Sequence, residues 1–276
     1  MREPLSSVAL RSAVVAFVLI WSAAPVFLVV LSSFKETPEI FAYPPSLVFA
    51  PTLEHYRTLF QKWPDFIWTL RNSAVIALAA TALTVVASVL AGYVYSRYRG
   101  RGLAASAMFM VAIRLLPPIV ITLPLYPVVS ALKLADSHFL MVILYSTFFV
   151  SLGSLILKTF IDGIPEELDQ AATIDAATEM QLLRWVIVPL SAQGMVAASV
   201  FVFVYAWNEY LFAFIFTTTN AKTAPVVISE MMGSLTGVDW GLLFAAASVQ
   251  LVPVVVFVIL VQKFLIAGLT AGSVKG

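Results

Sequence analysis

The chain has 276 residues, of which 61% are hydrophobic and 11% charged. A soluble globular domain carries about 25% charged residues, and disordered chains are apolar-poor and charge-rich, so composition excludes both and leaves a polytopic membrane protein. A net charge of +1 gives no field for nucleic acid, and the absence of cysteine removes disulfides, thiol catalysis and Cys-based metal sites.

A spanning helix needs about 20 mostly apolar residues. Six stretches qualify: Ala13–Leu31, Ser73–Tyr95, Leu103–Leu123, Phe139–Ile161, Met195–Phe216 and Leu242–Leu265. The expected fold class is therefore an all-α polytopic membrane protein with six transmembrane helices. Arg2 and Arg11 precede the first stretch, and Ser22-Ala23-Ala24 resembles a signal-peptide cleavage site. Apolar residues nevertheless continue past Pro25 to Leu31, so a retained span is expected. The second stretch is dense in small residues, among them Ser88, Ala91 and Gly92. Such residues let helices approach closely in lipid, where packing drives association. The third contains Pro117 and Pro118, and proline removes a backbone donor and clashes with the preceding turn, so a kink or break is expected there.

Lys and Arg near helix ends set orientation. The second-to-third connection holds Arg97, Arg99 and Arg101 and no acid, which places it in the cytoplasm. Alternation then puts both termini and the fourth-to-fifth connection inside. The first outer connection, from about Ser32 to Asn72, carries balanced charge. No repeat of 20–50 residues is visible, and the whole of 1–276 is expected to form a single membrane domain.

The connection over 161–190 stands apart. Pro165 suits the start of a helix, and Glu166, Glu167 and Asp169 lie where the helix dipole favours negative charge. Leu168, Ala171, Ala172 and Asp175 share one shallow face by their spacing. Thr178 and Gln181 form a capping box for a second, apolar helix, and Pro189 ends or kinks it. A helix lying on the bilayer is one explanation. Interfacial helices, however, carry Lys or Arg on their polar face, whereas Asp162 to Asp175 holds five acids and no base. A docked protein partner is the better reading.

These residues resemble a known family. Gln170-Ala171-Ala172, then Ala176, then Val186-Ile187-Val188-Pro189 are similar to the EAA loop of ABC importer permeases, which runs Glu-Ala-Ala, three residues, Gly, nine residues, Ile-x-Leu-Pro. More narrowly, Phe41–Ser46, Ala206–Tyr210 and the tail Gly268–Gly276 resemble the smaller membrane subunit of maltose-type carbohydrate importers. The sequence departs from the pattern at Gln170, where the family has Glu, and at Ala176, where it has Gly. The first puts a charged ATPase contact at Gln170 in doubt and leaves Asp169 or Glu167 as substitutes. The second requires Ala176 to hold an ordinary conformation or to carry strain.

The resemblance implies a coupling helix that docks on a cytoplasmic ATPase dimer through Glu167, Asp169, Gln170, Ala171, Ala172, Asp175, Ala176 and Pro189. It also implies a second homologous permease subunit, an extracytoplasmic substrate-binding protein, a carbohydrate-class substrate, surrounding lipid and a bacterial inner-membrane location. The tail is expected to face the ATPases. No phosphate-binding Gly-x-x-x-x-Gly-Lys-Ser/Thr loop is present, so no catalytic residue and no cofactor is expected in this chain, and ATP and Mg²⁺ belong to the partner. For the translocation path, Arg114 and Glu209 are ionisable at membrane depth, where charge usually faces a cavity or a partner. Asn208 and Trp207 beside Glu209 have the polar and aromatic character that suits a sugar. The alternative function is an ion-coupled secondary transporter. Such proteins carry intramembrane ionisable relays and often inverted repeats, and this chain has two isolated ionisable residues and no visible repeat.

Overall fold

In lipid, backbone N–H and C=O groups must be satisfied within the spanning segment, which leaves helices as the solution for long apolar stretches without alternation. The computed structural model describes the backbone of residues 5–233 and 237–272 and the side chains of 10–233 and 237–264. Among the described residues every regular element is helical. In chain order these are α1 (Leu5–Ser32), α2 (Thr37–Ile40), α3 (Glu54–Lys62), α4 (Phe66–Arg97), α5 (Arg101–Leu115), α6 (Pro118–Ala131), α7 (His138–Asp162), α8 (Glu167–Ile174), α9 (Glu179–Leu182), a π-helical turn (Leu183–Ile187), α10 (Val188–Leu190), α11 (Ala192–Trp207), α12 (Leu211–Phe216), α13 (Ala224–Met232) and α14 (Trp240–Gly272).

Four helices, α1, α4, α7 and α14, are long and apolar enough to cross a membrane. Two bent pairs raise the number to six when each is taken as one span. In the first pair α5 and α6 meet at 96°, and the break falls at Leu116-Pro117, where the sequence predicted it. In the second pair, Glu179–Leu190 joins α11 at 73°. Here the structure departs from the expected stretch Met195–Phe216. Helix α11 stops at Trp207, and Asn208–Tyr210 are non-helical before α12 begins. The apolar run continues through this break, so hydropathy alone does not reveal it.

Two compact units divide the chain, one of Met1–Ile67 and Ile228–Val252, the other of Trp68–Val227 and Pro253–Gly276. In the first, α1 is an uninterrupted helix through Pro25, and the span-forming window within it has no buried residue. Such a helix needs lipid or another subunit around it. The connection after α1 folds on its own polar atoms. His55 Nε2 lies 2.7 Å from the Lys35 carbonyl, Lys35 Nζ donates to the Ser46 carbonyl at 2.7 Å, and the Ser33 and Tyr56 hydroxyls are 2.7 Å apart. His55 is buried against Gly241, where a Cβ would approach its ring to 2.0 Å.

In the second unit, α4 and α7 approach as the small residues predict. A Cβ on Gly92 would meet Leu157 Cβ at 2.9 Å, and one on Gly153 would meet Ser88 Oγ at 2.2 Å. An apolar core gathers Ile76, Met141, Phe149, Phe203, Trp207 and Phe216. At the His138 end of α7, one carboxylate organises the chain. Asp136 accepts from the backbone N–H groups of Thr218, Thr219, Asn220 and Ala221 at 2.9–3.1 Å and from the Thr218 hydroxyl at 3.1 Å. Burial alone would push this carboxyl up. The backbone donors outweigh burial and hold its pKa at about 2. Beside it, His138 Nε2 lies 2.9 Å from Asn72 Oδ1, while Asn72 Nδ2 donates to the carbonyls of Asn220 and Lys222 at 2.9 and 3.0 Å.

Candidate functional site

The acidic connection between α7 and α11 is built as two short helices and a turn. Pro165 lies just before α8 instead of within its first turn: Glu166 is the N-cap, and Glu167 and Asp169 occupy the first turn. The turn after α8 satisfies two otherwise free carbonyls. Ala176 N–H donates to Thr173 O and Ala177 N–H to Ala172 O, both at 3.0 Å. This pair is a Schellman C-cap, whose C′ residue adopts the left-handed conformation. That residue is Ala176, with φ +56°. Its Cβ crowds a carbonyl in this region, at about 1–2 kcal/mol, so of the two options open for Ala176 the structure shows the strained one. The capping box then starts α9: Gln181 N–H donates to Thr178 Oγ1 at 3.3 Å, and Thr178 N–H donates to Gln181 Oε1 at 2.8 Å.

A π turn follows, closed by Val188 N–H to Leu183 O. Pro189 comes directly after it and has no N–H to give, and its ring presses on the carbonyl four residues back. Widening the preceding turn relieves that clash, and the helix ends at Leu190 before the 73° bend.

The inner side of this loop is held by the end of α4. Arg97 Nε donates to Asp169 Oδ2, Nη2 to the Ile164 carbonyl at 2.9 Å, and Nη1 to the Ile161 carbonyl and Ser96 Oγ, each at 3.2 Å. The Arg97 and Asp169 side chains are 8% and 18% exposed. Tyr93 OH donates to Glu179 Oε2 at 2.9 Å. Sequence reasoning read Arg97 as a topology marker and missed this. The available signal was coarser: the basic run that holds Arg97 must share a membrane side with the acidic loop.

The outer side is left open. Ile174 is 85% exposed, Trp185 69% and Met180 65%. Glu167, Gln170, Ala171, Asp175 and Pro189 are exposed as well, while Ala172 is half-buried. Between α8 and the π turn a shallow cavity of about 350 Å³ is lined by Ala172, Asp175, Ala176, Leu182, Trp185 and Val186, among others. Asp169 is therefore engaged within the chain, whereas Glu167 and Gln170 face outward.

The other candidate residues fall at two helix breaks. Arg114 is half-buried in the last turn of α5, just before Leu116-Pro117, where a cation complements the helix dipole. Trp207 is 1% exposed and stacks on Phe203 at 5.9 Å between ring centroids. Asn208 is exposed and turns back to donate to Val204 O at 2.8 Å. Half-buried Glu209 accepts from the N–H groups of Phe212 and Ala213 at 2.9 and 3.3 Å, so its carboxylate supports the start of α12. Among the described residues, Arg114 and Glu209 form no ion pair with each other. No group of three or more His, Asp or Glu among those residues is placed to hold a metal ion. The tail region Gly268–Gly276 lies outside the described side chains, and residues 273–276 lie outside the described backbone.

Apolar helices long enough to cross a membrane, with a bent pair broken at Leu116-Pro117 and a helix end at Asn208-Glu209, define a polytopic membrane protein. The chain belongs to the family described as the binding-protein-dependent transport system inner membrane component, whose model matches residues 84–270. It is thus an inner-membrane permease of the ABC importer type, and nothing supports the ion-coupled alternative. The sulfoquinovosyl glycerol transport system permease protein SmoH of Agrobacterium fabrum is 33% identical over 269 residues, covering 97% of this chain and 94% of its own. The trehalose/maltose transport system permease protein MalG of Thermococcus litoralis is 33% identical over 254 residues, 91% of each chain. A bacterial ABC transporter involved in import of the acidic polysaccharide alginate shares the fold, with a TM-score of 0.73 at 16% identity over 95% of this chain and 98% of that one.

Proposed function

We propose that the whole chain acts as one of two permease subunits of an ATP-driven importer for a sugar or sugar derivative, with α8 as its coupling helix. The observation that carries the coupling assignment is the outer side of the 163–191 loop. It exposes Ile174, Met180 and Trp185 beside unpaired acids, at the EAA spacing. A large apolar surface rimmed by polar groups marks an interaction site, and the acids disfavour anionic lipid as its cover. A cytoplasmic ATPase dimer that binds ATP and Mg²⁺ is the partner this reading requires, with a substrate-binding protein on the opposite side. Arg97 bonds to the Ile161 and Ile164 carbonyls, so the arginine-rich connection and the loop share one end of the bundle. That supports a cytoplasmic placement for both and, by alternation, for both termini. The carbohydrate class rests on the relatives' names. In the path, Asn208 and Glu209 line the break after α11, and Arg114 lines the break after α5.

Copurification and turnover test this. The chain should bring down an ATPase, and Ala172→Pro, which breaks α8 in its middle, should abolish ATP turnover coupled to uptake. Unchanged coupled turnover would sink the assignment. Glu209→Ala should reduce uptake while leaving ATPase assembly intact. Normal uptake in that variant would return Glu209 to its capping role alone.

A further inference from the structure

The last turns of α4 grip both halves of the loop through separate contacts, and the two grips differ in kind. Arg97 spends its guanidinium on four acceptors: the Asp169 carboxylate of α8, the Ser96 hydroxyl, and the carbonyls of Ile161 and Ile164, where α7 ends. The planar fork of arginine can serve several fixed acceptors at once, which a lysine ammonium cannot. Four residues earlier, one helical turn away, Tyr93 donates to Glu179 in the first turn of α9. The two helices of the loop are therefore bonded to a single helix, across a sequence separation of 72 residues in one case and 86 in the other. Beneath them, Leu182, Leu183 and Ile187 pack with Val89, Tyr93, Leu157 and Ile161.

From this we infer that Arg97 and Tyr93 are positioning residues that lock α8 and α9 to α4, so that displacement of the loop by its partner moves α4 as one body with it. The inference rests on the coupling reading above. The packed and nearly dry Arg97–Asp169 pair resists stretching, while the more exposed Tyr93–Glu179 bond fixes the second half against rotation about the first. A two-point attachment transmits both push and tilt, whereas one point would act as a pivot.

The test uses the assembled permease–ATPase complex in lipid. Because the chain has no cysteine, Leu90→Cys on α4 and Glu166→Cys at the start of α8 provide two nitroxide sites unique within it. Their separation is measured by pulsed dipolar spectroscopy, nucleotide-free and with a non-hydrolysable ATP analogue. With Arg97 and Tyr93 in place, one narrow distance is expected, unchanged by nucleotide. In Asp169→Asn, Arg97→Lys and Tyr93→Phe backgrounds the distribution should broaden by about twofold and shift when nucleotide binds, as a locally unlocked segment would. Tyr93→Phe removes one hydroxyl and keeps the ring, so it retains the fold if the Arg97 variants do not assemble. A distribution as narrow in all assembled variants as in the parent would overturn the lock. The coupling reading fails separately, if Ala172→Pro leaves coupled ATP turnover intact whatever the spin labels show.

Discussion

The two ends of α7 lie about 37 Å apart, given 25 residues at about 1.5 Å each, and each is organised by one aspartate. At the His138 end, Asp136 gathers four backbone N–H groups of one loop, and Asn72 and His138 close the cluster from neighbouring elements. Both carboxylate oxygens of Asp136 find donors within the chain. At the Asp162 end, Asp169 receives one guanidinium N–H, and its other oxygen, Oδ1, is buried without a hydrogen bond. Beyond it lie Ile174, Met180 and Trp185, large apolar groups facing outward. An end that exposes its apolar groups and is still tied firmly beneath them is prepared for contact.

The largest break in this contrast should come from Arg97→Met. It leaves Asp169 charged without its partner and strips two carbonyls of a donor. Removing one member of a buried pair costs about 3–5 kcal/mol, and the residual exposure of Asp169 places this one near the lower figure. Amide exchange over residues 164–177 should accelerate roughly a hundredfold in consequence. Asp136→Ala should cost about 1.5–3 kcal/mol, the range for hydrogen bonds to a charged group. Faster exchange should then be confined to Thr218–Ala221, with the acidic loop unaffected. The same carboxylate predicts a pH response. Its folded pKa of about 2 lies below the ordinary 3.8. The stability it contributes is therefore fully present above about pH 4 and is lost as pH falls toward 2. Exchange at Thr218–Ala221, followed through acidification, checks the sign. Thr178→Ala removes the capping box and should destabilise α9 by about 1 kcal/mol. The smallest effect runs the other way: Ala176→Gly relieves the left-handed strain and should stabilise the turn by up to about 1 kcal/mol, read from thermal unfolding of the detergent-solubilised chain.

Much of this was legible in the sequence because it is local. The proline break of α5 and α6, the small-residue contact of α4 with α7, and the capping box at Thr178 depend on residues a few positions apart or on one residue type. The break after Trp207 was not legible, because Asn208 and Glu209 interrupt an apolar run that hydropathy averages through. Their effect comes from side chains bonding their own backbone, Asn208 back to Val204 and Glu209 forward to Phe212. The Arg97 and Asp136 anchors were hidden for another reason. Each joins residues more than sixty positions apart, and a single sequence records no pairing at that distance. Among the path candidates, Trp207 carries the same aromatic signal whether it meets a sugar or fills a core, and only its 1% exposure shows how it sits.

The π turn at Leu183–Ile187 contains one residue more than an α-helical turn would. Each residue of an α-helix advances the azimuth by about 100°, and each residue of the wider turn by less, so its five residues sweep nearly the angle that about four α-helical residues would. The turn therefore takes in one residue more while leaving the helix on either side in almost the phase a regular helix would give it. Leu183 and Ile187 keep their places against Val89, Leu157 and Ile161, and the extra residue is absorbed where the proline follows.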